Sequence, residues 1–418
     1  MSTVTIDKTG VLVVGGKRVF PIVLSEGPPV GRNAPSGRNG LAEVAAAGVG
    51  FVRTGTTDWS LDAADRQIAV ERDVLDAAAD HGLHGWTRLG DLANLPPATD
   101  APRAFLLAKV VNALKGHRGL GLWKGVDEPA NPFRPAPVPA AGLVRGYRLL
   151  RRELDLHHPV VIVQAPRGTA AQLARYRPAF DITGADIYPV SYPPGIHAGR
   201  RTGMAVVGDV TRKMVAAAGS KPVWTTLQIA WSGVAPSKTH PERVPRFPSL
   251  HDERFMAYQA IVAGARGLVF FGGHMTQVMT PADAERGWNW RFWELVLRPL
   301  VSELTSAAVR PALLAPNAAA PVRASVKQVE LVARRTDAFL YVIAVRRGGT
   351  VSRVSFSGLP RKRDGSPIRA GRVLHEYVQN PLPPPLGGRQ VFRSVAVRDG
   401  RFSDWLGPQD ARVYRFAL

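Results

Sequence analysis

The chain has 418 residues, 45% of them hydrophobic, with 41 Gly, 35 Pro and no Cys. That balance belongs to a folded globular protein and excludes both disorder and a disulfide-held scaffold. The 54 Lys and Arg against 33 Asp and Glu give a formal charge of +21. Arg is spread along the chain instead of concentrated on one stripe with interleaved aromatics, which argues against a nucleic-acid partner.

Without a thiol there is neither a cysteine nucleophile nor a thiolate metal site. The N-terminus carries no basic-then-apolar leader pattern, and the strongest apolar run, Leu268–Gly273, is far too short to span a bilayer, so no membrane partner is expected. The compartment stays open between the cytoplasm and export with a leader removed, and the oligomeric state is unread.

In chain order, Val11–Val14, Gly15-Gly16 and Arg18–Ile22 spell strand, turn and strand, a small hairpin whose second arm runs into the first barrel strand. From Val19 one unit then repeats: a short apolar run, a polar or Gly-rich loop, and an Ala-rich amphipathic stretch. The predicted strands are Phe20–Leu24, Phe51–Thr54, Gly85–Leu89, Leu120–Val126, Val160–Gln164, Ile182–Tyr188, Val223–Gln228 and Leu268–Phe271. The predicted helices are Gly40–Ala47, Ala63–Asp80, Pro102–Lys115, Ala140–Glu153, Thr169–Tyr176, Met204–Ala218, His251–Gly264 and Trp288–Ser306.

Eight βα units in about 290 residues make a TIM (β/α)8 barrel, with reacting groups at the carboxyl ends of the strands. A doubly wound sheet is the runner-up; it normally shows a glycine fingerprint after the first strand, and Leu24-Ser25-Glu26-Gly27-Pro28-Pro29 is not one. Beyond about residue 310 the pattern turns to strands between Gly/Pro turns: Gln328–Ala333, Phe339–Arg346, Val351–Phe356, Arg372–Tyr377, Ser394–Val397 and Ala411–Phe416. The reading is a barrel with its N-terminal hairpin over 1–310 and an accessory β-sandwich over 311–418. The Pro-rich segment 381–388 reads as a rigid connection, and the basic run Arg361-Lys362-Arg363-Asp364-Gly365 as a hairpin tip.

The fourth strand carries the strongest chemical signal, Leu122-Trp123-Lys124-Gly125-Val126-Asp127-Glu128-Pro129. Proline stops the strand and fixes two acids at the barrel mouth, where Glu128 can protonate a leaving oxygen. Apolar walls such as Trp123 would raise its pKa, as a general acid near neutrality requires. On the sixth strand Asp186 and Tyr188 share a face pointing into the mouth, where they can position a ring or activate water. On the seventh, Trp224, Thr226 and Gln228 alternate inward, which places the Gln228 amide at the strand end facing the centre.

Trp231 follows closely as a stacking platform for a sugar face, with Trp59 and Trp86 as further candidates. Glu26, Asp58 and Asp91 follow strands one, two and three and can act as a base or accept sugar hydroxyls. His274 follows strand eight. The ten histidines form no metal-ligand pattern, and no phosphate loop or nucleophile-elbow serine occurs, so no metal and no cofactor is expected. Paired carboxylates remain.

With these motifs the chain resembles bacterial (β/α)8 glycoside hydrolase-like proteins. The likeness is carried by Gly16-Lys17-Arg18-Val19-Phe20-Pro21-Ile22 at the start, by Asp127-Glu128-Pro129, and by Asp186-Ile187-Tyr188-Pro189. It continues in Pro222-Val223-Trp224-Thr225-Thr226-Leu227-Gln228 and in Glu253-Arg254 with Met256-Ala257-Tyr258-Gln259-Ala260 leading to Gly264-Ala265-Arg266-Gly267-Leu268. The all-β tail is similar to the sandwich that often follows such barrels. The resemblance implies an O-glycosyl hydrolase acting on a carbohydrate, with Glu128 as the acid. The retaining clan it resembles has a nucleophilic Glu after strand seven, where this chain has Gln228, and an amide cannot form a glycosyl ester.

Three routes stay open: inversion, with Glu128 as acid and Asp186, Glu26, Asp58 or Asp91 as base; substrate assistance by Asp127 and Glu128, as in N-acetylhexosaminidases, against which neighbouring strand side chains diverge; and retention with a relocated nucleophile. Outside hydrolysis stand a non-catalytic carbohydrate-binding barrel and a sugar lyase or isomerase.

Overall fold

The computed structural model describes residues 3–131, 134–192, 203–229, 238, 241–242, 244–245, 247–271, 280–319, 321–377 and 390–418. Eight parallel strands close a barrel: β1 (Ile22–Leu24), β2 (Phe51–Thr54), β3 (His84–Arg88), β4 (Leu120–Lys124), β5 (Val160–Gln164), β6 (Ile182–Ile187), β7 (Trp224–Gln228) and β8 (Gly267–Phe271). The predicted barrel is therefore the fold, and the doubly wound alternative falls. Strand alternation explains the packing. Val23, Phe51, Trp86, Leu122, Val161, Val163, Ile182, Trp224 and Val269 fill the interior, while their neighbours pack outward on helices. Gly184 lets β6 and β7 close on each other, since a Cβ there would lie 1.6 Å from the Trp224 carbonyl oxygen.

The amino-terminal hairpin gains a strand unseen in the sequence: Val4–Ile6 pairs with Leu12–Val14, which pairs with Lys17–Val19. Val4 and Leu12 join the interior cluster of the barrel, so this sheet plugs the end opposite the strands' carboxyl termini.

The helical layer comprises α1 (Gly40–Ala47), α2 (Ala64–Ala79), α3 (Asp100–Leu114), α4 (Ala140–Leu149), α5 (Ala170–Ala174), α6 (Val206–Ala218), α7 (Leu250–Val262) and α8 (Arg298–Thr305). Side chains cap several starts: Asn39 accepts from the Leu41 and Ala42 amides, and Ser249 with Asp252 forms a reciprocal capping box at α7. Two predicted helices are interrupted. Ala140–Glu153 continues past Leu149 as a wide π turn, Leu150–Leu154. The Trp288–Ser306 stretch becomes a short helix, Trp290–Phe292, a π turn, Trp293–Leu297, and α8. Pro299 has no N–H for the preceding turn and its ring crowds that turn's carbonyl, which relaxes the helix there.

The C-terminal strands are β9 (Arg323–Ala324), β10 (Val329–Arg335), β11 (Phe339–Arg346), β12 (Ser352–Ser357), β13 (Ala370–Tyr377), β14 (Gln390–Ala396), β15 (Phe402–Leu406) and β16 (Ala411–Ala417). They form a three-stranded sheet, β9-β12-β15, and a five-stranded one, β10-β11-β16-β13-β14. The basic run at 361–365 is an exposed loop joining the two sheets, not the predicted hairpin tip, because β12 and β13 belong to different sheets. The Pro-rich segment 381–388 lies outside the described residues.

The five-stranded sheet is apolar on both faces. Leu340, Val342 and Ala344 of β11 face the small sheet with Phe356, Phe402 and Tyr414. Tyr341, Ile343 and Val345 on the other face join Val413 and the barrel's outer core around α7. Ten consecutive α7 residues, 252–261, are therefore buried, which removes the amphipathic signature a barrel helix usually shows.

A polar knot crosses this junction. Arg254 of α7 donates from Nε to Glu303 Oε2 of α8 at 2.8 Å and from Nη1 to the Ala411 carbonyl of β16 at 2.6 Å. Tyr258, one turn on, donates to Glu303 Oε1 at 2.6 Å. His375 of β13, in the left-handed region at φ 52°, presents its carbonyl to Arg254 and its ring Nε2 to Ser306 Oγ at 2.8 Å.

Candidate active site

The strands' carboxyl ends open on a cavity of about 260 Å3. Seven of the eight strands deliver what their inward faces dictate: Arg53 from β2, Trp86 from β3, Lys124 from β4, Val163 from β5, Asp186 from β6, Thr226 from β7, and Val269 and Phe271 from β8, with Ser25, Asp127, Glu128, Asn131 and Arg167 from the following loops.

Asp127 and Glu128 line the same cavity although they are adjacent. The expected divergence of neighbouring strand side chains does not apply, because β4 ends at Lys124 and the Glu128 backbone turns left-handed, at φ 43°. A non-glycine residue in that region carries strain of about 1–2 kcal/mol. The surroundings hold it: the Glu128 amide donates to the Val163 carbonyl at 2.8 Å, its carbonyl accepts from the Asn131 amide at 2.9 Å, and Asn131 Nδ2 donates to Glu128 Oε2. Arg134 clamps the turn from outside, bonding the Asp127 carbonyl at 2.7 Å and the Glu128 carbonyl at 3.1 Å.

The carboxyl groups differ sharply in environment. Burial alone would raise Asp127, but the Lys124 ammonium 2.5 Å from its Oδ1, with the Arg53 and Arg88 guanidinium groups behind it, outweighs burial and holds the carboxyl below its usual range. Glu128 is raised by burial and by the charge of Asp127, against the Asn131 hydrogen bond. Asp186 is pushed up to about 7 by burial and then by the charges of Asp127 and Glu128, against its bond from Tyr188. The Tyr188 hydroxyl donates to Asp186 Oδ2 at 2.5 Å, and its ring stacks on Phe271 at 5.7 Å between centroids. Burial also lowers Lys124, which lies over the Trp86 ring at 5.4 Å. Asp186 Oδ1, Thr226 Oγ1 and Trp86 Nε1 are buried without a hydrogen-bond partner, and all three belong to cavity-lining residues. A polar ligand would complete their bonding.

Of the predicted residues, Asp127, Glu128, Asp186, Tyr188 and Trp86 share this cavity. Trp86 is only 1% exposed and Lys124 covers its ring, so it is a floor residue and not a stacking platform. Trp123 points outward, its indole donating to Asp155 at 2.8 Å, so it does not wall Glu128. Glu26 is ion-paired with Arg53. Asp58 and Asp91 line a separate cavity of about 570 Å3 beside Trp59. Arg134, which bonds the Asp127 and Glu128 carbonyls, also lies 3.9 Å from Asp91. Trp231 and His274 lie outside the described residues.

Gln228 corrects an expectation. Its amide does not face the centre: it is fully buried, accepting from the Val190 amide at 2.8 Å and donating to the Val190 carbonyl at 2.9 Å. The inward residue of β7 at the cavity is Thr226. Gln228 is a clamp on the loop after β6 and not a nucleophile position emptied of its acid. Gln228→Glu therefore sets a carboxylate oxygen against the Val190 carbonyl and is expected to destabilise the fold by about 1–3 kcal/mol without changing the stereochemistry of any reaction. Urea titration with product analysis checks both, and a gain of activity in this variant would refute the clamp.

Sequence reasoning missed Arg53, Lys124, Asn131 and Arg167, and read Thr226 as inward without giving it a role. A signal existed for the first two: each is the lone cation in an apolar strand, on the inward register of Phe51 and Leu122. The loop residues Asn131 and Arg167 left no periodic trace.

No protein-family model matches the chain, and no curated protein gives a significant match. Solved structures do. The chain is similar over 99% of its length to a glycoside hydrolase family 5 protein from Bacteroides vulgatus, of which 93% is covered, at 13% identity and a TM-score of 0.58. It is similar over its whole length to a GH30 endoxylanase from Clostridium papyrosolvens, also covered in full, at 11% identity and a TM-score of 0.53. A family 51 alpha-L-arabinofuranosidase from Bifidobacterium longum matches over the whole of this chain and 97% of its own, at 12% identity and a TM-score of 0.53. What the chain shares with them is the fold, a (β/α)8 barrel of the kind glycoside hydrolases use.

Among the described residues no group of His, Asp and Glu could hold a metal ion, and no helix is long and apolar enough to cross a membrane.

Proposed function

We propose that the protein is a glycoside hydrolase that cleaves an O-glycosidic bond in the cavity at the barrel mouth. One observation carries the reading: three carboxyl groups converge on one cavity, two with raised proton affinity, Glu128 and Asp186, and one, Asp127, held ionised by a buried lysine. Environments that push neighbouring carboxyls apart are how acid and base roles are divided in glycoside cleavage.

In this reading Glu128, at the entrance, protonates the leaving oxygen. Asp186, oriented by Tyr188, takes the proton of the attacking water, and the Asp127 anion stabilises the positive charge that develops on the sugar ring. A second reading exchanges Glu128 and Asp186, and the value near 7 at Asp186 favours it as the proton carrier. Retention with Asp127 as nucleophile is the remaining route through the same residues. Among the described residues, those lining the cavity all precede residue 272, which supports a catalytic unit over 1–310 with the sandwich at 311–418 as its accessory.

The test is turnover of a panel of aryl glycosides and oligosaccharides, including 2-acetamido and furanosyl sugars, with the product's anomeric configuration read by NMR. Inversion is expected; retention moves the nucleophile role to Asp127, or, confined to 2-acetamido sugars, to the assisted route. Silence across the panel with sugar-induced thermal stabilisation replaces the hydrolase by a carbohydrate-binding barrel.

A further inference from the structure

The mouth of the barrel is electrically lopsided. On the β2–β3 side, Asp58 and Asp91 line the neighbouring cavity. On the β4–β5 side a third cavity, of about 390 Å3, is walled by Arg167, Arg175, Tyr176, Val138 and Pro139, with no acidic residue among the described residues of its lining. Arg167 borders both this cavity and the central one, so the two adjoin at that residue. The positive field reaches inside: the charges of Arg175 and Arg134 oppose the rise that burial imposes on the Tyr176 phenol.

In the central cavity an anion would meet the carboxyls of Asp127, Glu128 and Asp186 interleaved with the cations Arg53, Lys124 and Arg167. On the β2–β3 side Asp58 and Asp91 share the lining with the cation Arg103. The arginine-walled cavity differs from both in that its described lining sets guanidinium groups with no carboxylate beside them, so a negative group gains there through charge-assisted hydrogen bonds. Its volume lies in the range of small-ligand sites, about 300–1,000 Å3.

We propose that this cavity is a subsite for an acidic sugar unit, one bearing a carboxylate or a sulfate, linked to the sugar held in the central cavity; the proposal rests on the glycosidase reading. The substrate is then an anionic oligosaccharide with a fixed direction, its charged unit over the β4–β5 loops. The net charge of +21 draws such a polymer to the protein from a distance, in a salt-dependent manner.

The experiment measures binding of three oligosaccharides of equal length, neutral, uronate-bearing and sulfated, to the Glu128→Gln protein by calorimetry, and hydrolysis of the same three by the wild type. The expected result is that one acidic ligand binds about tenfold tighter than the neutral one, the worth of a single charge-assisted bond. Arg175→Gln should erase that preference, Arg175→Lys should restore most of it, and added salt should weaken it. Uronate and sulfate arms separate the two sources of charge. Equal affinity for neutral and acidic ligands, or an acid preference untouched by Arg175→Gln, overturns the subsite while leaving the hydrolase standing. Failure of all three sugars to bind or be cleaved overturns both.

Discussion

Glu128→Gln is expected to lower kcat/KM on natural glycosides by about a hundredfold to ten-thousandfold, the usual worth of a positioned proton donor, while leaving sugar binding intact. Asp186→Asn should cost as much. Leaving-group dependence separates the two roles: a substrate whose aryl group departs without protonation rescues the variant that lacks the acid and does nothing for the one that lacks the base. Rescue of Glu128→Gln supports the first assignment, rescue of Asp186→Asn the exchanged one, and near wild-type activity in either variant removes that residue from the chemistry.

The pH profile carries the same information with a definite sign. Asp186 is raised by burial and by two neighbouring negative charges, so activity that needs a proton on the Glu128–Asp186 pair falls as pH rises through about 7. Asp127→Asn removes one of those charges and should move this limb to lower pH; a shift to higher pH would contradict the electrostatic picture. For stability the folded value lies above the ordinary 3.8 of an aspartate. The contribution of Asp186 is therefore fully present below about 3.8 and lost as pH rises through about 7. Asp186→Asn should accordingly be more stable than the wild type on the alkaline side, at the expense of activity.

Arg254→Met is expected to produce the largest loss of stability. It leaves Glu303, whose side chain is fully buried, without its cation, and strips the Ala411 carbonyl of a donor. Breaking one partner of a buried ion pair costs about 3–5 kcal/mol, whereas replacing both with apolar residues is far milder. The double variant Arg254→Met with Glu303→Leu should therefore recover much of the loss. Urea titration by tryptophan fluorescence and far-ultraviolet dichroism should show one transition in each case, since barrel and sandwich share a core. Two separated transitions, or a loss under about 1 kcal/mol, would show that the junction is not held in this way.

The architecture was legible where one periodicity governed a segment. Strand alternation located all eight barrel strands to within two residues at each end, and the inward register of Asp186 and Tyr188 came with it. Legibility ended where tertiary contacts override local pattern. Glu128 escapes alternation through a left-handed turn that no side chain announces. Gln228 obeys the strand register, yet its amide is captured by the Val190 backbone, a partner 38 residues away in sequence. Val4–Ile6 is too short to show a period of its own. Arg254 and Tyr258 were legible as a helix motif, but their function as a junction became visible only when the sheet at 411–417 was laid against them.

The order of strands in that sheet bears on how the protein is made. β16 is the last strand in the sequence and the middle one of five, with β11 on one side and β13 on the other. The sheet stays split until β16 leaves the ribosome, and the outward face of α7 waits uncovered meanwhile. At about 5–20 residues per second, synthesis of the stretch between α8 and β16 takes on the order of ten seconds. For that interval a complete barrel exists with an oily flank exposed, a nascent species that a chaperone would recognise and that crowding on a polysome would tend to aggregate.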